Sequence, residues 1–311
     1  MSHLKKIEEL KNTLKGKKGI CAMSGGVDSA VAAALVHAAC PDLVSVYVNT
    51  GLMRKNESAE IEKVFKKERG MNLIMVDAEE RFLSRLKGVD DPNKKRMIIG
   101  EEFIRVFEEE AKKIGAVDYL VQGTILADII ESGTDKHKAI KPHHNVGGLP
   151  AVVDFKQLVE PLKDLYKPQV RELGLALGLP ESIVMRQPFP GPGLGVRVIG
   201  EITKAKLDIL READFIFRDE VAAAGLDKEI WQYFAVLLSS RSVGIEDGGR
   251  SYGYTVALRA VTSTDALSAQ WFKIPFDVLG KISNRITSEV KEVGRVAYDI
   301  TSKPPATIEW E

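Results

Sequence analysis

The sequence predicts an α/β fold with a doubly wound parallel sheet, followed by a second, smaller α+β domain. Short apolar runs alternate with helical stretches in the first half of the chain, a pattern typical of right-handed βαβ crossovers. A Gly-Gly turn joins the first apolar run to a helix. Near residue 188 the composition changes to Pro-Gly-rich sequence, which indicates a domain boundary.

The first domain, residues 1–187, is predicted to contain four buried strands. Continuous apolar runs suit strands that are covered on both faces of a sheet. The runs are residues 19–23, 43–48, 72–76 and 118–121. Ligands of such sheets bind beyond the carboxyl ends of the strands. We therefore expect the strand ends at 24–29, 49–51, 77 and 122–124 to converge on one crevice.

The second domain, residues 188–311, begins with the Pro-Gly-rich run Pro188–Gly195. Its predicted elements are a helix over 204–224, strands over 234–238 and 252–261, a helix over 278–290 and a strand over 295–300. In the second strand, apolar side chains alternate with a partly polar face that holds Thr255 and Arg259. An exposed apolar sheet face in a domain of about 120 residues favours a two-fold dimer. Packing against the first domain is the alternative.

Composition excludes several classes of function. Lys plus Arg and Asp plus Glu both total 44, and this zero net charge argues against nucleic acid as the main partner. No stretch approaches the roughly 20 apolar residues of a membrane span, and the N-terminus lacks a signal-peptide core. Cys21 and Cys40 have no C-x-x-C spacing, which argues against a disulfide framework or a cysteine-ligated metal. We expect a cytoplasmic protein without a membrane partner.

The turn after the first strand carries the strongest functional signal. Glycine allows positive φ and close approach of an anion, and the N–H groups at a helix N-terminus favour negative charge. Ser24 and Ser29 add hydroxyl donors, whereas Asp28 makes most sense through a bridging Mg²⁺. The turn therefore predicts a pyrophosphate or triphosphate cradle, with a tight βα connection as the alternative. Its residues are Ser24, Gly25, Gly26, Val27, Asp28, Ser29 and Ala30.

Residues 132–149 form a long polar segment, which is typical of a lid or a disordered loop. Lysines of this segment, Lys141 among them, are expected to reach phosphate oxygens. The neighbouring His143 and His144 project apart, so metal binding by this pair is disfavoured.

Several motifs resemble known families. The string Ser24–Ser29 resembles the pyrophosphate loop of N-type ATP pyrophosphatases, which have an adenine nucleotide alpha hydrolase-like fold. Further runs are similar to GMP synthases, and the similarity covers essentially the whole chain. These runs are 48–52, 77–83, 141–150, 188–194 and 301–311. Ala127 departs from the proline that the family usually has there.

The resemblance implies ATP-dependent amination of xanthosine 5'-monophosphate (XMP) to GMP through an adenylyl-XMP intermediate, in GMP biosynthesis. It implies catalytic roles for Asp28 and Lys141, and Mg²⁺ binding by Asp28 and Asp128. For Val46 and Leu52, a place in the adenine pocket and a place in the core remain alternatives. It also implies a C-terminal module that dimerises. The implied XMP-binding residues are Arg197, Lys303 and Glu309.

Ammonia is expected from free ammonium or from a separate glutaminase subunit. Residue 24 already begins the phosphate loop, which leaves no room for an N-terminal glutaminase, and neither cysteine lies in a glycine-rich elbow. The hypothesis is the ATP pyrophosphatase subunit of a two-subunit enzyme. The alternatives are a tRNA-modifying ATP pyrophosphatase and a non-catalytic ATP-binding regulatory protein.

Overall fold

The computed structural model describes residues 3–132, 155–246, 248–264 and 266–311. The chain forms two compact units. The first comprises Met1–Thr50, Asn56–Ala78 and Gly100–Arg186, and the second comprises Gly51–Lys55, Glu79–Ile99 and Gln187–Glu311. The sequence predicted one boundary, between residues 187 and 188. That boundary assigned Gly51–Lys55 and Glu79–Ile99 to the first domain, whereas the structure groups both segments with the second unit.

The first unit is built on a five-stranded sheet with strand order β3-β2-β1-β4-β5, in which every pairing is parallel. This confirms the predicted parallel α/β class. Strand β5 was not predicted, because it begins with polar Gln157 and so offers no continuous apolar run of the kind that marks the other four strands. The strands are β1 Gly19–Met23, β2 Val44–Asn49, β3 Asn72–Asp77, β4 Tyr119–Val121 and β5 Gln157–Val159.

Ten α-helices are present in the described part of the chain, and none of its helices is long and apolar enough to cross a membrane. A π-helical turn, Glu62–Glu68, continues α3 directly, and a 3₁₀ turn spans Gly193–Val196. The α-helices are α1 His3–Leu14, α2 Val27–Ala39, α3 Glu57–Ile61, α4 Glu79–Leu86, α5 Pro92–Ile114, α6 Leu126–Ser132, α7 Lys167–Ala176, α8 Glu181–Val184, α9 Lys204–Ala223 and α10 Phe276–Glu289.

Helix α2 is buried on nearly all sides, since every residue from Ala30 to Val36 is fully buried. Its Ala- and Val-rich sequence has no polar face, as expected of a helix that is enclosed by other elements. The strand order changes direction between β1 and β4, so the turn from β1 into α2 lies at the topological switch point of the sheet.

The second unit contains a four-stranded sheet centred on β7 Gly249–Thr262. Strand β7 is antiparallel to β6 Gln232–Glu246 and β8 Gln270–Trp271, and parallel to β9 Val293–Asp299. These strands and helices α9 and α10 confirm the predicted α+β class.

The expected exposure of this sheet was wrong in two respects. Val256 and Leu258 are at most 1% exposed within the single chain, so their apolar face is covered. The polar residues Thr255 and Arg259 are also buried, and Arg259 is 0% exposed because its guanidinium is bonded to backbone carbonyls of the C-terminal segment. Period-2 alternation distinguishes the two faces of a strand, but it does not show what covers them.

The second unit also holds the segment that follows β2. Arg211 of α9 donates to the Met53 carbonyl at 3.2 Å, and Lys55 forms a 2.6 Å ion pair with Glu212. The Leu194 N–H donates to the Leu52 carbonyl at 2.8 Å. These contacts explain why Gly51–Lys55 belongs to the second unit although it is continuous with a strand of the first.

Substituting Gly19 by alanine should destabilise the first unit, because a Cβ atom there would overlap the ring of Tyr119 on the adjacent strand. Overpacking of this kind costs about 1–3 kcal/mol. Urea unfolding should show the loss as a lower midpoint. Gly100→Ala is the matched control, since a Cβ there meets nothing within 4 Å and alanine favours the α5 helix. Equal stability of the two variants would contradict the assigned packing of β1 against Tyr119.

Candidate functional site

The turn between β1 and α2 places a helix N-terminus beside two hydroxyl groups. Gly25 has φ +83°, and Gly26 is the N-cap residue with no side chain to cap the first N–H groups of α2. Ser24 Oγ and Ser29 Oγ lie 3.1 Å apart and share a hydrogen bond, and Ser29 Oγ also donates to the Gly26 carbonyl at 3.0 Å. This arrangement offers backbone and hydroxyl donors to an anion.

The end of β4 lies directly against this turn. A Cβ at Gly123 would lie 2.8 Å from the Ser29 nitrogen and 2.9 Å from the Asp28 carbonyl carbon, so a side chain there would displace the first turn of α2. The predicted convergence of strand ends therefore holds for β1 and β4. At the ends of β2 and β3, Asn49 Nδ2 donates to Asp77 Oδ1 at 3.2 Å.

Asp28 is paired with a lysine that the sequence reasoning missed. Lys167 Nζ lies 2.9 Å from Asp28 Oδ1 and 2.7 Å from Oδ2, and both side chains are partly exposed. Lys167 is the first residue of α7, where the helix dipole favours negative rather than positive charge. A lysine at a helix start was therefore the one available sequence signal of a nearby anion.

Arg186 is a second cation that the sequence reasoning missed. Its guanidinium donates to Glu57 Oε1 at 3.2 Å and to Glu60, and lies 3.4 Å from the Gly25 carbonyl. Its side chain is only 11% exposed and Glu57 is 6% exposed, so the group is a largely buried ion-pair cluster. The cluster joins the phosphate-loop backbone to helix α3.

The remaining predicted residues of the nucleotide site differ in their surroundings. Asp128 Oδ2 accepts from the Ile125 N–H at 2.9 Å, which gives this carboxylate a local backbone contact at the start of α6. Val46 is 0% exposed in the first unit, and Leu52 is 1% exposed in the second. Lys141 lies outside the described residues, as do His143 and His144.

Arg197 and Glu309 are brought together as a buried pair in the second unit. Arg197 Nε and Nη2 donate to the two oxygens of Glu309 at 3.0 and 2.8 Å, and Gln232 Nε2 donates to Oε1 at 2.8 Å. The Arg197 guanidinium also lies 3.9 Å from the ring centre of Phe234 and is 2% exposed. Because this cation is enclosed and already paired, its geometry does not favour the expected contact with a ligand phosphate.

Lys303 is held differently from Arg197 and Glu309. Its Nζ donates to the Ala266 carbonyl at 2.7 Å, and its backbone pairs with Ala269 in an antiparallel bridge. Of the three residues predicted to bind XMP, Arg197 and Glu309 are thus paired with each other. The ammonium of the third, Lys303, donates to the backbone of a neighbouring turn instead.

Both cysteines are buried. Burial raises the pKa of the Cys21 thiol to about 12, and burial also raises the pKa of Cys40. Because the thiolate is the nucleophilic form, neither residue has the environment of a catalytic cysteine.

Fold and site together define a parallel α/β protein with a glycine-rich, donor-bearing turn at the switch point of its sheet. Residues 17–76 match the tRNA methyl transferase HUP domain, and residues 219–310 match the GMP synthase C terminal domain. Among solved structures, an NMN synthetase from Francisella tularensis aligns with a TM-score of 0.46 and 17% identity, over 67% of this chain and 85% of that one.

Curated relatives named GMP synthase [glutamine-hydrolyzing] match 98% of this chain and are covered over 60% of their own length. Identity is 62% for the protein of Acetivibrio thermocellus, 61% for that of Finegoldia magna and 59% for that of Clostridium acetobutylicum. The chain is thus similar over nearly its whole length to these GMP synthases, and it spans about three fifths of their length.

The two thiols should be unreactive in the folded protein. We expect negligible reaction with Ellman's reagent at mildly alkaline pH, and reaction of both thiols after unfolding in guanidinium chloride. Because burial raises the pKa of Cys21 from 9.0 to about 12, the stabilising effect of the buried neutral thiol is complete below pH 9.0 and is lost as the pH rises above it. Rapid titration of either thiol in the native protein would contradict the assigned burial.

Proposed function

We propose that this chain catalyses the ATP-dependent amination of XMP to GMP, releasing AMP and pyrophosphate. The observation that carries the proposal is the uncapped phosphate loop at the N-terminus of α2, in a chain 62% identical over 98% of its length to a GMP synthase. In the proposed reaction, O2 of the xanthine attacks the α-phosphorus of ATP and pyrophosphate leaves. Ammonia then attacks C2, the C–O bond breaks and AMP leaves with the electron pair.

The phosphate loop is proposed to hold the β- and γ-phosphates of ATP. The first N–H groups of α2 and the hydroxyls of Ser24 and Ser29 are the donors, and their fixed orientation stabilises the charge that develops on the leaving pyrophosphate. Val27 begins the helix and is proposed to contribute its backbone N–H, whereas the Ala30 N–H already donates to the Gly26 carbonyl at 3.1 Å. Val46 is fully buried in the first unit, and we propose that it lines the adenine pocket.

The residues at this turn fit a magnesium ion. Within the described ranges no group of three or more His, Cys, Asp and Glu side chains is placed to hold a metal. Mg²⁺ needs no such cage, because it usually binds through one or two carboxylates together with substrate phosphates. The partly exposed Asp28 is proposed as one ligand and Asp128 as another. When bound, the ion would neutralise phosphate charge.

Lys167 is proposed as the cation that helps to neutralise the negative charge of this site. Its ammonium is compact, carries three donors and already lies on the carboxylate of the phosphate loop. Lys141 keeps the role that the family resemblance implies, a lysine reaching the phosphates. Arg186 supports the loop backbone at Gly25 and is not proposed to touch ATP.

Lys303 and Glu309 are proposed to bind XMP, Lys303 through the 5'-phosphate and Glu309 through a ring or ribose donor. The bidentate contact with Arg197 holds the Glu309 carboxylate in one orientation, so we propose that Arg197 positions Glu309 instead of binding the phosphate.

Ammonia is proposed to come from a glutaminase that lies outside residues 1–311, on a separate subunit. The relatives' names include glutamine hydrolysis, and the two cysteines of this chain are both buried with raised pKa values.

A homodimer through the C-terminal domain is also proposed. Exposed apolar side chains at the β6–β7 hairpin support it, since Val243, Ile245 and Tyr252 are 48%, 85% and 64% exposed.

Incubation with ATP, Mg²⁺, XMP and ammonium should yield AMP and GMP in equal amounts, measured by ion-exchange chromatography. Omission of XMP should abolish AMP release, because the acceptor oxygen is then missing. AMP release that required tRNA instead of XMP would favour the tRNA-modifying alternative. ATP binding by folded protein without any AMP release would favour the regulatory alternative, and either result would overturn the proposed reaction.

Asp28→Asn and Lys167→Ala should each lower kcat by about 10²–10³-fold, because each removes a charge that acts on the departing pyrophosphate. XMP affinity, measured by calorimetry, should stay within about twofold, because neither residue is proposed to touch XMP. Lys163→Ala is the matched control, an exposed lysine just before α7 that should leave kcat unchanged. An equal effect of the control, or a loss of XMP affinity in Asp28→Asn, would contradict this division of roles.

A further inference from the structure

The C-terminal segment Thr301–Glu311 is held by cations that the second unit buries almost completely. Lys95 and Arg259 are 0% exposed, and Arg197 is 2% exposed. They come from three different elements: Lys95 from α5, Arg259 from β7, and Arg197 from the end of the 3₁₀ turn. We call residues 301–311 the tail.

Arg259 makes the most extensive of these contacts. Its Nε donates to the Ile308 carbonyl at 3.1 Å, Nη1 to the Thr301 carbonyl at 2.5 Å, and Nη2 to the Thr307 carbonyl at 2.9 Å. Nη1 also lies 2.9 Å from Asp299 Oδ2, which supplies the counter-charge. One planar guanidinium therefore binds the tail at its first residue and again at Thr307 and Ile308.

The other two cations bind single side chains near the end of the tail. Arg197 binds the carboxylate of Glu309, and Lys95 binds the carboxylate of Glu311 and the Val198 carbonyl. A buried cation that loses its partner is strongly destabilising. Each of the three would lose partners if the tail left this surface, so the tail is expected to stay docked in the free protein.

Only arginine can make the contacts of Arg259. The three tail carbonyls belong to residues separated by up to seven positions, and the guanidinium reaches them through a rigid fork of five donors. A lysine at this position would retain the charge, but its single ammonium offers a point contact instead of a fork. Charge and geometry can therefore be separated by one substitution.

We infer that Arg259 is a positioning residue for the acceptor-binding site, because it fixes the backbone on either side of Lys303 and immediately before Glu309. The inference rests on the proposed function, in which these two residues bind XMP. Because Lys303 and Glu309 are already held in place before XMP binds, less conformational entropy is lost on binding. Arg259 itself is enclosed and touches no substrate, so its effect passes through the tail.

The experiment compares wild type, Arg259→Lys and the control Arg250→Lys, an exposed arginine on the same strand. Steady-state kinetics should show a KM for XMP raised about tenfold or more in Arg259→Lys, with the KM for ATP within twofold of wild type. Hydrogen exchange should be faster in tail peptides of this variant and unchanged in peptides of β1 and α2. Arg250→Lys should match wild type in both measurements.

Asp299→Asn is the second variant, because it keeps the guanidinium and removes its counter-charge. It should raise the KM for XMP in the same selective way, by about threefold. If wild type is active but the KM for XMP in both variants is unchanged, or rises together with that for ATP, the inference fails and the proposed function stands. Unfolding of both variants would overturn the inference by assigning Arg259 to folding alone. Wild-type protein without XMP-dependent AMP release would refute the proposed function itself.

Discussion

A buried cation is cut off from water, so its carboxylate and carbonyl partners must come from the protein itself. This constraint holds in place the segments on which the candidate sites depend. In the first unit, Arg186 is enclosed with Glu57 and Glu60 and lies against the Gly25 carbonyl. In the second unit, Arg259 and Arg197 hold the tail. Turns and termini are usually the mobile parts of a domain. In this protein, ion pairs and charge-assisted hydrogen bonds hold the turn at Gly25 against helix α3 and the tail against strand β7.

The turn between β1 and α2 shows how local and non-local contributions to a site combine. The local part is the helix N-terminus with a glycine N-cap that supplies no side-chain cap, and it follows from the Gly-Gly turn alone. The non-local part is the close approach of Gly123 from β4 and the ion pair of Lys167 from α7 with Asp28. The sheet order makes both possible, because β1 and β4 are neighbours although about 100 residues separate them. A parallel sheet thus assembles one site from distant parts of the chain.

Arg197 and Glu309 illustrate why residue type alone assigns a role poorly. Both carry charges that suit contacts with a nucleotide, and the family resemblance places both at the acceptor. In the structure the Arg197 guanidinium and the Glu309 carboxylate form an ion pair, so one of the two side chains orients the other. Lys303, by contrast, keeps an ammonium bonded to a single neutral carbonyl, which leaves its charge without a counter-ion among the described contacts.

The sequence by itself determined the α/β class, the turn from β1 into α2 and the similarity to GMP synthases, because each depends on local pattern: apolar runs, a Gly-Gly turn and contiguous motifs. It also located most strands, but it missed β5 and β8, which offer no continuous apolar run. Tertiary structure alone decided that Lys167 faces Asp28, that Arg259 is buried beneath the tail, and that Gly51–Lys55 belongs with the second unit. These outcomes depend on which distant segments meet. The periodicity of a strand separates its two faces, whereas burial and ion pairing depend on what the rest of the chain brings against them.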